Sequence, residues 1–88
     1  MSNREKLADA GYEAVVVFDT PDYDEALIGI TEDDGAVYDL DLMIAHLVRT
    51  EGMDELEALD FIEYNTIRAL PYVENAPVII RRLESIYG

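Results

Sequence analysis

The hydrophobic and polar positions of this chain first follow a pattern that is typical of a strand. The run "YEAVVVFD" (12–19) is rich in β-branched and aromatic residues and is apolar without a break from Ala14 to Phe18. Because Gly11 and Pro21 bound it, the run predicts a short strand. A strand that is apolar on both faces is typical of cover on both sides or of a subunit interface.

The next segment predicts a β-hairpin. In "EALIGITEDDGAVYDL" (25–40), the apolar runs "ALIGI" and "AVY" flank the tip "TEDDG". Asp34-Gly35 is the turn signal, because Gly tolerates the positive φ that a tight turn requires. Gly29, inside the first arm, predicts a bulge or the close approach of another backbone.

The pattern then changes to a helical period. Within 38–52 the apolar residues recur at i, i+3, i+4, i+7 and i+8, which predicts one apolar helix face. Asp39 is the predicted N-cap, and Gly52 is the predicted left-handed stop. A second helix is predicted over 53–72, with Asp54 as its N-cap.

A last strand is predicted over 76–85, beginning at Pro77, where a missing N–H costs least. The predicted order is therefore β-β-β-α-α-β, in a single domain that spans residues 1–88. We expect an α+β fold in which a small, mostly antiparallel sheet is covered on one face by two helices.

Part of this pattern resembles a known group of proteins. The string "YDEALIGI…AVYD…EALDFIEYNTIRALPY", between Tyr23 and Ile80, is similar to short acidic proteins of bacterial and phage genomes that have no assigned activity. The resemblance rests mainly on "FIEYNTIRALPY" (61–72). It implies a bacterial or mobile-element origin, favours a role in the conflict between phage and host, and supplies no catalytic residues.

The charge of the chain is unevenly placed. The chain has 20 acidic and 6 basic residues and a formal net charge of -14. Between Lys6 and Arg49 there is neither Lys nor Arg, whereas the interval 7–48 holds eleven acids, a local charge of -11. Nucleic acid and anionic membrane are poor partners for such a surface, because like charges repel. A basic protein surface is the partner that this charge favours.

The sequence contains little that could carry catalysis or hold a cofactor. It has no cysteine, and His46 is its only histidine, so cysteine-ligated sites and two-histidine metal motifs are excluded. A calcium-loop alignment on Gly35 fails, because Ile30 falls at the first ligand position. We therefore expect no metal, no cofactor and no enzymatic activity.

The hydropathy of the chain gives no sign of a membrane or secretory segment. No apolar run approaches the roughly 18 residues that a membrane span requires. The N-terminal "MSNREKLADAG" lacks the apolar core of a signal peptide. We expect a cytoplasmic protein.

The stretch "DTPDYDE" (19–25) is the candidate binding segment. We expect this loop and the hairpin tip to form one side of an acidic surface that binds a basic protein. Tyr23 and Tyr38 are included in this predicted surface, because a tyrosine at an interface buries its ring and keeps its hydroxyl polar. The predicted partner-binding residues are Asp19, Asp22, Tyr23, Asp24, Glu25, Glu32, Asp33, Asp34 and Tyr38.

Two functions remain open at this point. The first is a small acidic binding module that occupies a basic protein surface, as a nucleic-acid mimic made by a phage or mobile element. The second is a homo-oligomeric accessory protein in which charge serves solubility only. The apolar strand "AVVVF" and an exposed patch of Tyr64 and Ile67 favour the second function and a homodimer.

Overall fold

The computed structural model describes residues 2–87. Within that range it forms four α-helices, three β-strands and two 3-10 turns. The helices are α1 (Asn3–Asp9), α2 (Leu40–Glu51), α3 (Glu55–Asn65) and α4 (Leu83–Tyr87). The strands are β1 (Leu27–Ile30), β2 (Ala36–Asp39) and β3 (Val78–Ile80), and the 3-10 turns are Asp24–Ala26 and Ile67–Tyr72.

The predicted α+β class is confirmed, and the sheet is mixed, in the order β1-β2-β3. β1 and β2 pair antiparallel, with Leu27 opposite Tyr38. β3 joins β2 in parallel, with Val78 opposite Val37. Parallel neighbours need a long crossover, and here α2 and α3 provide it. The expectation of a mostly antiparallel sheet thus holds for one of the two strand pairs.

The predicted hairpin is confirmed, except that the positive φ expected at Gly35 lies at Asp34. The register of the ladder shifts between Leu27 and Gly29, which is the bulge predicted at that glycine. At the tip, Thr31 N–H donates to the Gly35 carbonyl at 2.7 Å, and Gly35 N–H donates to Thr31 Oγ1 at 2.8 Å. The positive φ of the turn lies at Asp34 (φ 62), and aspartate is one of the residues that tolerate it.

The strand predicted over 12–19 is wrong. Within the described residues this segment pairs with no strand. Its apolar side chains still pack, because Val15, Val17 and Phe18 contact the core. Phe18 N–H donates to the hydroxyl of Tyr38 at 3.1 Å instead of to a neighbouring strand. The apolar run therefore reports packing and not strand pairing.

Helix α1 lies against β1 and was not predicted. It begins at a capping box, in which Ser2 Oγ accepts from Glu5 N–H at 3.1 Å and the Glu5 carboxylate accepts from Ser2 N–H. The Asn3 amide donates to the Leu27 carbonyl at 3.1 Å, so α1 meets the outer edge of β1. A side chain thereby satisfies a backbone group that an edge strand would expose.

Helices α2 and α3 confirm the predicted caps. The Asp39 and Asp54 carboxylates each accept from the backbone N–H three residues further on, at 3.1 and 2.8 Å. Gly52 ends α2 with φ 69, in the left-handed region. The second helix is shorter than predicted, because α3 ends at Asn65 and Ile67–Tyr72 is a 3-10 turn.

The last predicted strand is also shorter than expected. Only Val78–Ile80 pairs, and Leu83–Tyr87 is helical. Between them, Arg81 and Arg82 turn toward α2, where their guanidinium groups meet Asp41 at 3.2 Å and Asp39 at 2.6 Å. The chain leaves the sheet at the point where these ion pairs form.

The core lies between one face of the sheet and the helices α2 and α3. Leu27, Ala36 and Tyr38 point into it from the strands, and Ile62 points into it from α3. It contains ten buried apolar residues: Tyr23, Ala26, Leu27, Ala36, Tyr38, Met43, Ile44, Leu47, Ala58 and Ile62. Asp39 is also fully buried, with a side-chain exposure of 0%.

The two core tyrosines differ in how their hydroxyls are satisfied. The Tyr38 hydroxyl accepts from Phe18 N–H at 3.1 Å. The Tyr23 hydroxyl lies beside Thr66 without hydrogen-bond geometry to any described residue. Desolvation raises the pKa of both phenols, so both rings are neutral at physiological pH.

Removal of each hydroxyl is expected to give opposite results. Tyr38→Phe leaves the Phe18 N–H without its acceptor, so it should lower the free energy of unfolding by about 1–3 kcal/mol. Tyr23→Phe removes a hydroxyl that is buried without a good partner, and stability should stay unchanged or rise. Urea unfolding of both variants checks this, and equal losses would contradict the assignment.

Loss of the buried carboxylate is expected to be more costly than loss of an exposed one. Asp39→Ala removes the α2 cap and the partner of Arg82, and should lower the free energy of unfolding by about 2–4 kcal/mol. Asp41→Ala is the matched control, because its pair with Arg81 is partly exposed and should contribute less than about 1 kcal/mol. Urea unfolding at neutral pH compares them, and a control that loses as much would refute this ranking.

Candidate functional site

The carboxylates at the centre of the "DTPDYDE" loop hold local structure together. Asp24 accepts from the backbone N–H groups of Asn3 and Arg4, both at 2.9 Å, at the start of α1. Asp22 accepts from the N–H of Asp24 at 3.1 Å. These bonds bind α1 to the loop, so Asp24 has a structural role that the sequence did not indicate.

The outer acids of the same loop are paired with cations. Asp19 meets Arg4 at 3.2 Å. Glu25 contacts Arg49, and it also meets His46 Nδ1 at 2.6 Å. The hydrogen bond from Arg49 is the main cause that holds the pKa of Glu25 below its usual value. Both acids remain at the surface, but each carries its own counter-charge.

The two tyrosines of the predicted binding surface lie in the core. Tyr23 and Tyr38 have an exposed fraction of 0%. The Phe18 ring packs on both, with centroid distances of 6.1 Å and 4.6 Å. Neither tyrosine can touch a partner while the core is intact, so the prediction of tyrosines on the binding surface is corrected. What remains of that surface is its acids.

The hairpin tip is the exposed remainder of the predicted site. Glu32, Asp33 and Asp34 are all exposed. None of the salt bridges found within residues 2–87 involves any of these three. The loop 19–25 precedes β1 and the tip follows it, so a strand length of about 10 Å separates the two acidic groups.

All five arginines of the chain are engaged in contacts within it. Arg4, Arg49, Arg81 and Arg82 pair with acids of the interval 7–48, although none of the four lies in that interval. Arg68 lies over the Tyr64 ring, 4.9 Å from its centroid. Folding therefore neutralises Asp19, Glu25, Asp39 and Asp41, and the charge that stays uncompensated is concentrated elsewhere.

The outer side of α3 carries a second acidic surface, which the sequence indicated only through Tyr64. That ring is 67% exposed, whereas its predicted neighbour Ile67 packs on the core. Around the ring is an open cleft of about 710 Å³, hereafter the α3 cleft. Its lining consists of Met53, Glu57, Asp60, Phe61, Glu63, Tyr64 and Arg68.

Residues 2–87 contain no group of three or more His, Asp or Glu side chains placed to hold a metal ion. Their helices include none that is both long enough and apolar enough to cross a membrane. His46 is half-buried against Tyr23, with a ring centroid distance of 5.5 Å, and pairs with Glu25.

Comparison of the chain with protein-family models, with curated proteins and with solved structures finds no match. The surfaces that bear on function are therefore the hairpin tip and the α3 cleft.

Proposed function

We propose that this protein is a small acidic binding module that occupies a basic protein surface, acting as a nucleic-acid mimic made by a phage or mobile element. One observation carries the proposal: each of the five arginines already contacts an acid or an aromatic ring of the same chain. No salt bridge found among residues 2–87 involves the exposed acids of the hairpin tip, and the α3 acids share their cleft with Arg68 without an ion pair to it. A basic protein would supply the counter-charge for these acids.

The magnitude of the charge is adequate for mimicry. The molecule measures 36 × 29 × 25 Å. A DNA duplex of about 30 Å carries roughly 18 phosphate charges, and about half of them face any one partner. The whole protein has a formal net charge of -14 over a similar length, which compares with the roughly 18 charges of the whole duplex segment. Its field would speed encounter with a basic surface and would be screened by salt.

Affinity capture from an extract of the source cell tests the proposal. We expect the immobilised protein to retain basic nucleic-acid-binding proteins, to release them in moderate salt, and to lose them to added duplex DNA. Retention that resists both salt and DNA would contradict mimicry. A triple variant, Glu32→Gln with Asp33→Asn and Asp34→Asn, should weaken capture, and Asn tolerates the left-handed backbone at position 34.

A second candidate function is a homo-oligomeric accessory protein, and the outer face of the sheet favours it. Of the two features that favoured it in the sequence, the strand at 14–18 does not exist in the structure, and Ile67 of the Tyr64 patch packs on the core. The outer sheet face offers a different basis, because Ile28, Val78 and Ile80 alternate with core-facing residues and are 41%, 42% and 37% exposed. Exposed apolar groups of this kind mark protein contacts.

Light scattering behind size exclusion separates the two functions. If the outer sheet face joins two copies, the wild type should run as a dimer, and Ile80→Lys should run as a monomer, because a buried lysine pair repels. Asp33→Lys is the control, since it makes a change toward positive charge at the exposed hairpin tip. A strict monomer at high micromolar concentration rules out the homo-oligomer.

A further inference from the structure

The floor of the α3 cleft is apolar and fixed to the core. Phe61 packs partly on the core cluster, and so does Met53, where the chain enters α3. Tyr64 stands one turn further along the helix and is 67% exposed. Burial of apolar surface releases about 25 cal/mol per Å². The exposed part of the Tyr64 ring forgoes this free energy as long as it stays in water. The cleft is therefore a preformed apolar seat at the surface.

Three acids form a row beside this seat. Glu57, Asp60 and Glu63 recur every third residue, so successive carboxylates are offset by about 4.5 Å along the axis of α3. Helix α3 itself contains four acids and no basic residue. Neighbouring like charges on one helix repel each other, and of these three acids only Glu57, in the first turn, is favoured by the helix dipole.

The last acid of the row, Glu63, lies where a negative charge is unfavourable for the helix. Glu63 lies in the final turn of α3, where the carbonyl ends of the helix make the potential negative. No salt bridge found among residues 2–87 involves it. The stability of α3 gives no reason for a carboxylate there, whereas a cation supplied from outside would benefit from it.

We propose that the α3 cleft seats one apolar side chain of a basic protein segment, while lysines or arginines flanking that side chain pair with Glu57, Asp60 and Glu63. The inference rests on the proposed function and names the site and the chemistry of its partner. Charge complementarity decides the occupant. A second copy of this chain would bring its own acidic row against the first, and a nucleic acid would bring phosphates, so both would be repelled.

Arg68 gives the site its selectivity for a segment with an apolar centre. Its guanidinium lies 4.9 Å from the centroid of the Tyr64 ring and provides the positive charge in the cleft lining. A partner cation at the ring would compete with it, whereas an apolar side chain would not. The cations of the partner are therefore expected at the acidic row and its apolar group at the ring.

Two labelled peptides are the probes: a lysine-rich peptide with one central leucine, and the same peptide with glycine at the centre. Fluorescence anisotropy measures their binding to the full chain. The leucine peptide should bind about tenfold more tightly, because the cleft buries its side chain. Tyr64→Ala should abolish this difference, and Tyr64→Phe should preserve it.

Two charge variants with equal net charge test the position of the site. The α3 variant replaces Glu57 with Gln, Asp60 with Asn and Glu63 with Gln, and it keeps the Asp54 cap, which accepts from the backbone N–H of position 57. The matched control replaces Asp9 with Asn, Glu13 with Gln and Glu74 with Gln, three exposed acids that lie outside the hairpin tip and the α3 cleft and occur in none of the salt bridges found among residues 2–87. We expect the α3 variant to weaken leucine-peptide binding about tenfold or more and the control to weaken it less than about threefold.

The outcomes separate this inference from the proposed function. Equal weakening by the α3 variant and its matched control, or equal binding of both peptides by the wild type, would overturn the α3 cleft as a site. If the source-cell extract yields a basic protein that is lost with the hairpin-tip variant and kept with the α3 variant, the cleft is overturned and the proposed function stands. If the leucine peptide perturbs the amide resonances of Phe61 and Tyr64 but the extract yields no basic protein, the α3 cleft stands as a site and the proposed function is overturned.

Discussion

The buried carboxylate of Asp39 is the interaction on which the rest of this fold depends. Asp39 ends β2, lies opposite Ile80 of β3, and caps α2 through a 3.1 Å bond from Leu42 N–H. Its second oxygen faces Arg82 Nε at 2.6 Å, an ion pair that lacks the angle of a full hydrogen bond. A buried charge costs several kcal/mol unless it is paired. The sheet, the first core helix and the C-terminal segment must therefore assemble together for this charge to be tolerated.

That constraint also decides where the negative charge of the surface remains. Because Arg81 and Arg82 are required at the start of α2, they are not available to balance other acids. Arg4 and Arg49 are likewise held by the loop 19–25. This chain has few basic residues, and four of its arginines form ion pairs where two segments of the fold meet. The acids of the hairpin tip and of α3 stay without an ion pair because these arginines are already paired with other acids.

The sequence predicted the local features of the fold and missed those that depend on distant partners. The hairpin, both central helices and the caps at Asp39 and Asp54 follow from short-range chemistry, and the structure confirms them. The strand over 12–19 failed because an apolar run indicates burial but cannot show which group receives each N–H. Helix α1 had a signal in the sequence, the capping-box spacing of Ser2 and Glu5, but a prediction based on apolar periodicity missed it. Tyr23 lies among acids in the sequence and in the core of the fold, and only tertiary structure reveals this.

The prediction of the candidate site failed for the same reason, because it depended on contacts with distant residues. Charge counting along the chain placed the binding surface in the loop 19–25 and the hairpin tip, and it included the loop because it could not show that Asp24 holds α1 or that Arg4 reaches Asp19. It overlooked α3, whose acids are interspersed with apolar residues and look like an ordinary amphipathic pattern. In the structure those apolar residues divide between two directions, Ile62 into the core and Tyr64 into solvent. An acid at the carbonyl end of α3, Glu63, beside an aromatic ring that is exposed to solvent, is an arrangement that folding alone does not favour.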